Sequence, residues 1–209
     1  MSALTRLGYF PDTVLDIGAY HGVWTEQSRK IFVHAQHFLF EAIDYPELKK
    51  FDNVFNVLLN DKTEEVNWFE MRNTGDSMFR EIGKYFKNCD IVKRQSVDLD
   101  TVIAGTDILQ TSQNIFIKID CQGAEIPILK GAKSLYLKTD FILLELPLFG
   151  QYNAGVPSFL DHLVFMDSIG FIPYDIVDDH YLNGFNMQMD VLFINKAHAF
   201  NKLVNAFQR

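Results

Sequence analysis

An acid and two glycines close together near the start of the chain have the character of a ligand-binding turn. Residues 14–22 read Val-Leu-Asp-Ile-Gly-Ala-Tyr-His-Gly, which places Gly18 and Gly22 shortly after Asp16. Glycine at such a turn lets the backbone approach a ligand without a Cβ atom in the way. The helix predicted to follow would present free N–H groups and the positive end of its dipole to the same space.

Another acid lies where the ribose of a nucleoside would need it. Glu41 ends the second predicted strand. In an open α/β sheet, an acid at that tip can accept hydrogen bonds from both ribose hydroxyls. The simpler alternative is a tight turn followed by an ordinary glutamate at a strand end. Taken together, Gly18, Gly22 and Glu41 predict a site for an adenosine-containing cofactor.

The spacing of the glycines indicates which cofactor. In the dinucleotide fingerprint G-x-G-x-x-G, the second glycine gives room for pyrophosphate, but Tyr20 occupies that position here. The pattern D-x-G-x-x-x-G is better suited to S-adenosylmethionine, whose amino-acid tail has no pyrophosphate. We expect Asp16 to contact the ammonium group of that tail, directly or through water. The alternative is a nicotinamide-dependent oxidoreductase, which equilibrium binding of the two cofactors would distinguish.

Two further acids follow apolar runs and could take part in catalysis. Asp120 comes directly after residues 115–119, and Glu145 comes directly after residues 142–144. Ligands of open α/β sheets gather at the carboxyl ends of the strands, so both acids are expected there. A carboxylate in that place can remove the proton of a hydroxyl nucleophile. Asp120 is the first choice for this base and Glu145 the second.

The segment around Asp120 also carries a resemblance to a known family. Its string Ile117-Lys118-Ile119-Asp120-x-x-Gly123-Ala124-Glu125 resembles that of the FkbM-type methyltransferases, and the resemblance spans residues 12–195. It implies a class I methyltransferase fold, S-adenosylmethionine as cofactor and, usually, O-methylation of sugars or natural products. The other motifs in order are Asp16-Ile17-Gly18-Ala19 with Gly22, Phe40-Glu41, Asn60-Asp61-Lys62, Leu99-Asp100 and Leu143-Leu144-Glu145. Ala19 and Asp61 are accordingly expected near the cofactor.

Departures from the family pattern bear on the site. Cys121-Gln122 stands where the family usually has Val-Glu, so a charge is missing beside Asp120. Tyr20 replaces a usual Asn in the glycine turn, and Pro127 replaces a common helix Glu. None of these changes removes the cofactor motif. A non-catalytic binding protein on the same fold remains an alternative, because fold alone does not establish activity.

The elements that must position these residues alternate between short apolar runs and amphipathic stretches, as in βαβ units. This pattern predicts an α/β fold in a single domain over 1–209. The resemblance to the FkbM-type methyltransferases implies a three-layer Rossmann-like arrangement with a seven-stranded, mostly parallel sheet and an antiparallel last strand. The expected strands are 13–17, 37–41, 54–59, 66–71, 92–97, 115–119, 141–146, 171–177 and 191–195. The expected helices are 23–32, 46–51, 124–129, 157–168 and a last one through Phe207.

Residues 72–90 have turn-like composition and weak periodicity. We expect this segment to be a mobile loop that closes over the cofactor, with Ser77 and Asn73 facing the site. Together with the loop 147–157, it is expected to determine the acceptor.

Composition excludes several classes of protein. The 209 residues are 48% hydrophobic and carry a net charge of −8, which disfavours binding to a phosphate backbone. Two cysteines make neither a disulfide scaffold nor a cysteine zinc site, and His34 with His37 lacks a nearby third ligand, so no metal site is expected. No apolar run approaches the ~20 residues needed to span a bilayer. A cytoplasmic enzyme with a small-molecule or glycan acceptor is expected.

Overall fold

A computed structural model of the chain describes residues 1–82, 89–149 and 153–200. The strands in these ranges are β1 (Thr13–Ile17), β2 (Gln36–Glu41), β3 (Val54–Asn56), β4 (Leu58–Asn60), β5 (Glu65–Glu70), β6 (Asp90–Asp98), β7 (Ile115–Ile119), β8 (Thr139–Pro147), β9 (Phe171–Leu182) and β10 (Phe185–Asn195). The α-helices are α1 (Ser2–Arg6), α2 (Val23–Ile31), α3 (Leu99–Ile103), α4 (Ile108–Thr111), α5 (Glu125–Lys130) and α6 (Phe159–Ser168). Two 3₁₀ helices span Pro46–Lys50 and Lys133–Leu135.

The main sheet has seven strands in the order β3-β2-β1-β7-β8-β10-β9. The first five are parallel to one another, whereas β10 runs antiparallel to both β8 and β9. This arrangement confirms the predicted α/β class and the antiparallel last strand. The chain reverses its direction of progress across the sheet between β1 and β7, and ligands bind at such a switch point in open α/β sheets.

Strand β1 lies at the centre of the sheet and is buried along its whole length. Leu15 and Ile17 belong to the core on one face, which α3, α5 and α6 cover. Val14 belongs to the core on the other face, with Leu4 of α1 and Phe32 after α2. Because both faces are covered, β1 and β7 consist of nearly continuous apolar runs, which is why the sequence identifies them.

A second sheet of three strands, in the order β4-β6-β5, lies next to the first. The predicted single strand 54–59 is therefore wrong. It is divided at Val57, whose N–H donates to the carbonyl oxygen of Glu41, and its halves join different sheets. Asp98, at the end of β6, caps α3 by accepting from the N–H of Thr101 at 2.8 Å.

The last two strands form a hairpin that is longer than predicted. We expected 171–177 and 191–195, but β9 and β10 run to Leu182 and from Phe185. Most residues of the extension are polar or exposed, so the apolar runs by which strands were recognised are missing there. The expected helix through Phe207 lies outside the described residues. None of the helices within the described ranges has the length and apolar character required to cross a membrane.

Candidate functional site

The carboxyl ends of β1, β2, β7 and β8 open into a cavity of about 1130 Å³. Six of the residues predicted from sequence lie on its wall: Gly18, Ala19, Glu41, Asn73, Asp120 and Glu145. The far wall comes from the second sheet and from the hairpin, including Trp68, His180, Leu182 and Gln188. Residues far apart in the sequence therefore converge on one space at the switch point of the sheet.

The turn after β1 requires glycine at Gly18. Its φ is +73°, and a Cβ atom there would lie 2.0 Å from the carbonyl oxygen of Asp120. The turn is fixed to β2, since the N–H groups of Gly18 and Ala19 both donate to the carbonyl oxygen of Phe40. Gly22, with φ +77°, is the N-cap residue of α2 and packs against the ring of Phe51. Gly22 therefore shapes the turn without lining the cavity.

Asp16 lies behind the turn and is fully buried. Its Oδ2 atom accepts from the hydroxyl of Thr25 at 2.5 Å, and its Oδ1 atom is 3.3 Å from Nζ of Lys118. Burial raises the pKa of Asp16, and the charge of Lys118 opposes that shift. The expected contact with a ligand ammonium group is therefore replaced by a structural role, because Lys118 of the protein already supplies the cation.

Lys118 joins three parts of the site. Besides its contact with Asp16, its Nζ atom donates to the carbonyl oxygen of Gly18 at 2.9 Å and lies 3.6 Å from Oδ2 of Asp120. Burial acts to lower the pKa of Lys118, but the two carboxylates outweigh it and raise that pKa above its ordinary value. The lysine is therefore a cation that holds the glycine turn against Asp120.

Glu41 uses both carboxylate oxygens to hold the backbone around it. Oε2 accepts from the N–H of Tyr20 at 2.8 Å, and Oε1 accepts from the N–H of Ile43 at 3.0 Å. Burial raises the pKa of Glu41, and these two hydrogen bonds oppose the shift. Each carboxylate oxygen can accept more than one hydrogen bond, so Glu41 can still accept from the hydroxyls of a ribose.

Asp120 and Glu145 are linked through an amide. The Nε2 atom of Gln122 donates to Oε2 of Glu145 at 2.7 Å and to Oδ1 of Asp120 at 3.2 Å. Gln188 of β10 donates to the same Oε2 atom at 3.2 Å. Burial, followed by the charge of Asp120, raises the pKa of Glu145 to about 10. Glu145 therefore holds a proton more tightly than an ordinary glutamate, and the more exposed Asp120 is the first candidate for a proton acceptor.

Ser77 and Asp61 do not lie on the cavity wall. The buried hydroxyl of Ser77 donates to the carbonyl oxygen of Gln122 at 3.0 Å, so it joins the segment after β5 to the loop after β7. Asp61 is exposed in the turn after β4. Asn73 does line the cavity, as expected. Of the expected mobile loop 72–90, residues 83–88 lie outside the described part of the chain.

Sequence reasoning missed several residues of the cavity wall. Tyr20, His21 and Tyr45 form an aromatic group beside Glu41, with the rings of Tyr20 and His21 stacked at 3.9 Å. Glu81 lines the cavity, and burial raises its pKa to about 7. His180 and Gln188 come from the hairpin extension. The alternation of polar residues at Asp178 and His180, and at Gln188 and Asp190, was the signal that could have located them.

The strand order and the position of the cavity at the carboxyl ends of the strands are those of the class I methyltransferase fold. The sequence model of the family described as "Methyltransferase FkbM domain" matches residues 16–173. The chain therefore belongs to the FkbM family of S-adenosylmethionine-dependent methyltransferases. A comparison with curated protein sequences gave no match.

Solved structures show the same fold at low sequence identity. The FkbM methyltransferase from Methylobacillus flagellatus KT is 15% identical with a TM-score of 0.54, over 88% of this chain and 43% of that one. The 1,6-didemethyltoxoflavin-N1-methyltransferase of Burkholderia thailandensis, solved with bound 1,6-didemethyltoxoflavin and S-adenosylhomocysteine, is 9% identical with a TM-score of 0.53. That match covers 93% of this chain and 76% of the other.

Proposed function

We propose that this chain transfers a methyl group from S-adenosylmethionine to a hydroxyl oxygen of a small molecule, such as a sugar or a natural product. The observation that carries the proposal is the position of Asp120. Its half-exposed carboxylate lies on the wall of the cavity, directly beside the glycine turn that Lys118 holds in place. A hydroxyl is a poor nucleophile until a base removes its proton, and Asp120 is placed to be that base.

The residues of the cavity fit S-adenosylmethionine. Glu41, at the end of β2, supplies acceptors for the ribose hydroxyls, as acids in this position do in open α/β sheets. The turn at Gly18 and Ala19 brings the backbone to the cavity wall with little side chain in the way. When bound, the cofactor supplies an electrophilic methyl group on a sulfonium.

The remaining residues orient and bind the acceptor. Asp120 accepts the proton of the hydroxyl, while Gln122 holds the Asp120 carboxylate through the hydrogen bond to Oδ1. Burial and the charge of Asp120 raise the pKa of Glu145, and in its protonated form Glu145 can donate a hydrogen bond to another oxygen of the acceptor. Alignment of nucleophile and methyl group by such contacts supplies much of the rate enhancement of transfer reactions.

The test measures cofactor binding and transfer separately. Calorimetry should show binding of S-adenosylmethionine and weak or no binding of NAD, since Tyr20 fills the place of the second dinucleotide glycine. The purified chain is then incubated with a methyl-labelled cofactor and a panel of sugars, phenols, alcohols and amines. We expect label on a hydroxyl oxygen. Binding of NAD in place of S-adenosylmethionine, or transfer to amines alone, would contradict the proposal.

A further inference from the structure

The hairpin wall of the cavity brings together three side chains of kinds that bind metal ions. Glu145 lies on β8, His180 on β9 and Asp190 on β10. One ligand atom from each residue lies within 4.8 Å of those from the other two. The Nε2 atom of His180 is 3.6 Å from Oδ1 of Asp190. These separations are compatible with a single ion between the three side chains.

The register of the strands fixes this convergence. Glu145 pairs directly with Asp190 across β8 and β10, and His180 pairs directly with Gln188 across β9 and β10. Directly paired residues of antiparallel strands project from the same face, as do residues two apart along one strand. Gln188 and Asp190 are two apart, so all four residues project from one face of the sheet. Three hydrogen-bonded strands therefore place the ligand atoms.

The charges at this position also favour a cation. Two acids directly opposite each other on antiparallel strands repel unless a proton or a cation lies between them. The negative charge of Asp120 repels the carboxylates of both Glu145 and Asp190, and the charge of Asp178 also repels that of Asp190. A divalent ion among the three side chains would offset this repulsion.

We propose that Glu145, His180 and Asp190 bind a divalent first-row metal ion, with Mn²⁺ as the expected occupant, on the acceptor side of the cavity. One imidazole and two carboxylates suit Mn²⁺, Fe²⁺ or Zn²⁺ better than Ca²⁺ or Mg²⁺, which prefer oxygen ligands alone. Three protein ligands leave open coordination positions, as in catalytic metal sites. This inference replaces the expectation from sequence that the chain has no metal site.

The role of the ion rests on the proposed function, whereas its binding does not. Glu145, His180 and Gln188 all line the same cavity as Asp120. An acceptor hydroxyl bound to the ion would be oriented within that cavity, and its pKa would fall. Its proton would pass to the carboxylate of Asp120, leaving a metal-bound alkoxide or phenolate as nucleophile. A diol or a catechol-like pair of oxygens could occupy two open positions, which makes such acceptors the preferred class.

The experiment titrates Mn²⁺ into the full chain after dialysis against a chelator, and follows the electron paramagnetic resonance signal of free Mn²⁺. We expect saturable binding of one ion per chain. His180→Ala and Asp190→Asn should each weaken binding by about tenfold or more, the range for losses around metal sites. The control is Asp179→Asn, which removes the same charge as Asp190→Asn but from the neighbouring strand β9 and from the opposite face of the sheet, and it should leave affinity within about twofold.

The absence of saturable Mn²⁺ binding would overturn the site. Equal loss of Mn²⁺ affinity in Asp179→Asn and His180→Ala would also overturn it, because it would indicate only diffuse attraction to an acidic hairpin. His180 has a 43% exposed side chain, so its variant should fold even if Asp190→Asn does not. Calorimetry with S-adenosylmethionine on the same samples separates the two proposals. Intact Mn²⁺ binding without methyl transfer would support the metal site and contradict the O-methyltransferase assignment.

Discussion

The Nζ atom of Lys118 donates a hydrogen bond to the carbonyl oxygen of Gly18 at 2.9 Å. This contact joins the end of β7 to the glycine turn after β1, two segments that are remote in the sequence. The same ammonium group lies between the carboxylates of Asp16 and Asp120. A buried structural carboxylate and an accessible catalytic candidate therefore share one cation.

Loss of that cation should destabilise the fold. We expect Lys118→Met to lower the free energy of unfolding by about 3–5 kcal/mol, because it leaves the carboxylate of Asp16 buried without a counter-charge. Urea denaturation measures the loss. Lys93→Met is the control: its ion pair with Glu65 is more than half exposed on both sides, and such pairs contribute about 0–1 kcal/mol.

A double variant shows whether the burial of Asp16 is the cause. Adding Asp16→Asn to Lys118→Met removes the unpaired charge, so part of the lost stability should return. If the double variant has a lower free energy of unfolding than Lys118→Met, the lysine stabilises the fold through packing and not through charge.

The glycine turn should tolerate no side chain. Gly18→Ala would place Cβ 2.0 Å from the carbonyl oxygen of Asp120, so β1 and β7 would have to separate. Gly8→Ala is a matched control with a similar φ of +86° and no atom within 4 Å. We expect a loss of about 1–2 kcal/mol for Gly8→Ala, from backbone strain alone. Gly18→Ala should lose clearly more in urea denaturation and should also bind S-adenosylmethionine more weakly in calorimetry.

Glu41→Ala should weaken binding of S-adenosylmethionine by about 1.5–3 kcal/mol, the range for hydrogen bonds to a charged group. It should also loosen the turn, because Glu41 accepts from the N–H of Tyr20. Glu47→Ala, which removes a half-exposed acid near His21, is the control and should change neither property. Calorimetry gives the affinity and thermal unfolding gives the stability. Unchanged affinity with lower stability would leave Glu41 with a structural role only.

Asp120→Asn should preserve the fold and most of the cofactor affinity, since the amide keeps the shape of the side chain. Turnover of a hydroxyl acceptor should fall by about 10²–10⁴, the usual contribution of a general base. Single-turnover kinetics at saturating acceptor isolates the effect on kcat. A raised KM with unchanged kcat would show that Asp120 binds the acceptor, and near-normal turnover would transfer the role of base to another acid of the cavity, such as Glu81.

His37 should make the protein sensitive to mild acid. Its ring is buried, with Nε2 near the hydroxyl of Ser28 and Nδ1 near the carbonyl oxygen of Ala35. Burial lowers the pKa of His37 to about 4 from its ordinary 6.5, and the charge of Arg29 acts in the same direction. Because the unfolded chain binds the proton first, stability should fall as the pH drops from about 6.5 to about 4.

The slope of that loss reaches at most about 1.4 kcal/mol per pH unit for one proton. Urea denaturation across this window measures it. His37→Gln removes the titrating ring and should flatten the dependence, whereas His34→Gln, at an exposed position, should not. Equal slopes for both variants and the parent chain would exclude His37 as the cause.

The central strands of the sheet could be predicted from the sequence because they are buried on both faces. Strands β1 and β7 are covered on both faces, so most of their residues are apolar. Acids that follow such runs stand out, which is how Asp120 and Glu145 were recognised as residues of the site. The same logic fails for β9, whose exposed residues include Asp178 and Asp179.

Pairings between strands could not be predicted. Asp16 and Lys118 lie opposite each other in the register of β1 and β7, and nothing local to either residue shows this. Asp16 was therefore expected at the ligand, whereas the lysine holds it in the core. Ser77 was expected to face the cavity for a similar reason. Its partners, the carbonyl oxygens of Cys121 and Gln122, are brought to it only by the packing of the second sheet.

The hairpin of β9 and β10 forms one wall of the cavity, and its strand geometry restricts which insertions that wall can accept. Gln188 and Asp190 project from one face of β10, and Met189 between them projects from the other. Insertion of one residue between Gln188 and Asp190 would turn one of them away from the cavity, whereas insertion of two would keep both facing it. Insertions or deletions of two residues in this strand should therefore preserve the residues that face the cavity, whereas changes of one residue should not. The cofactor side of the cavity would stay unchanged in both cases.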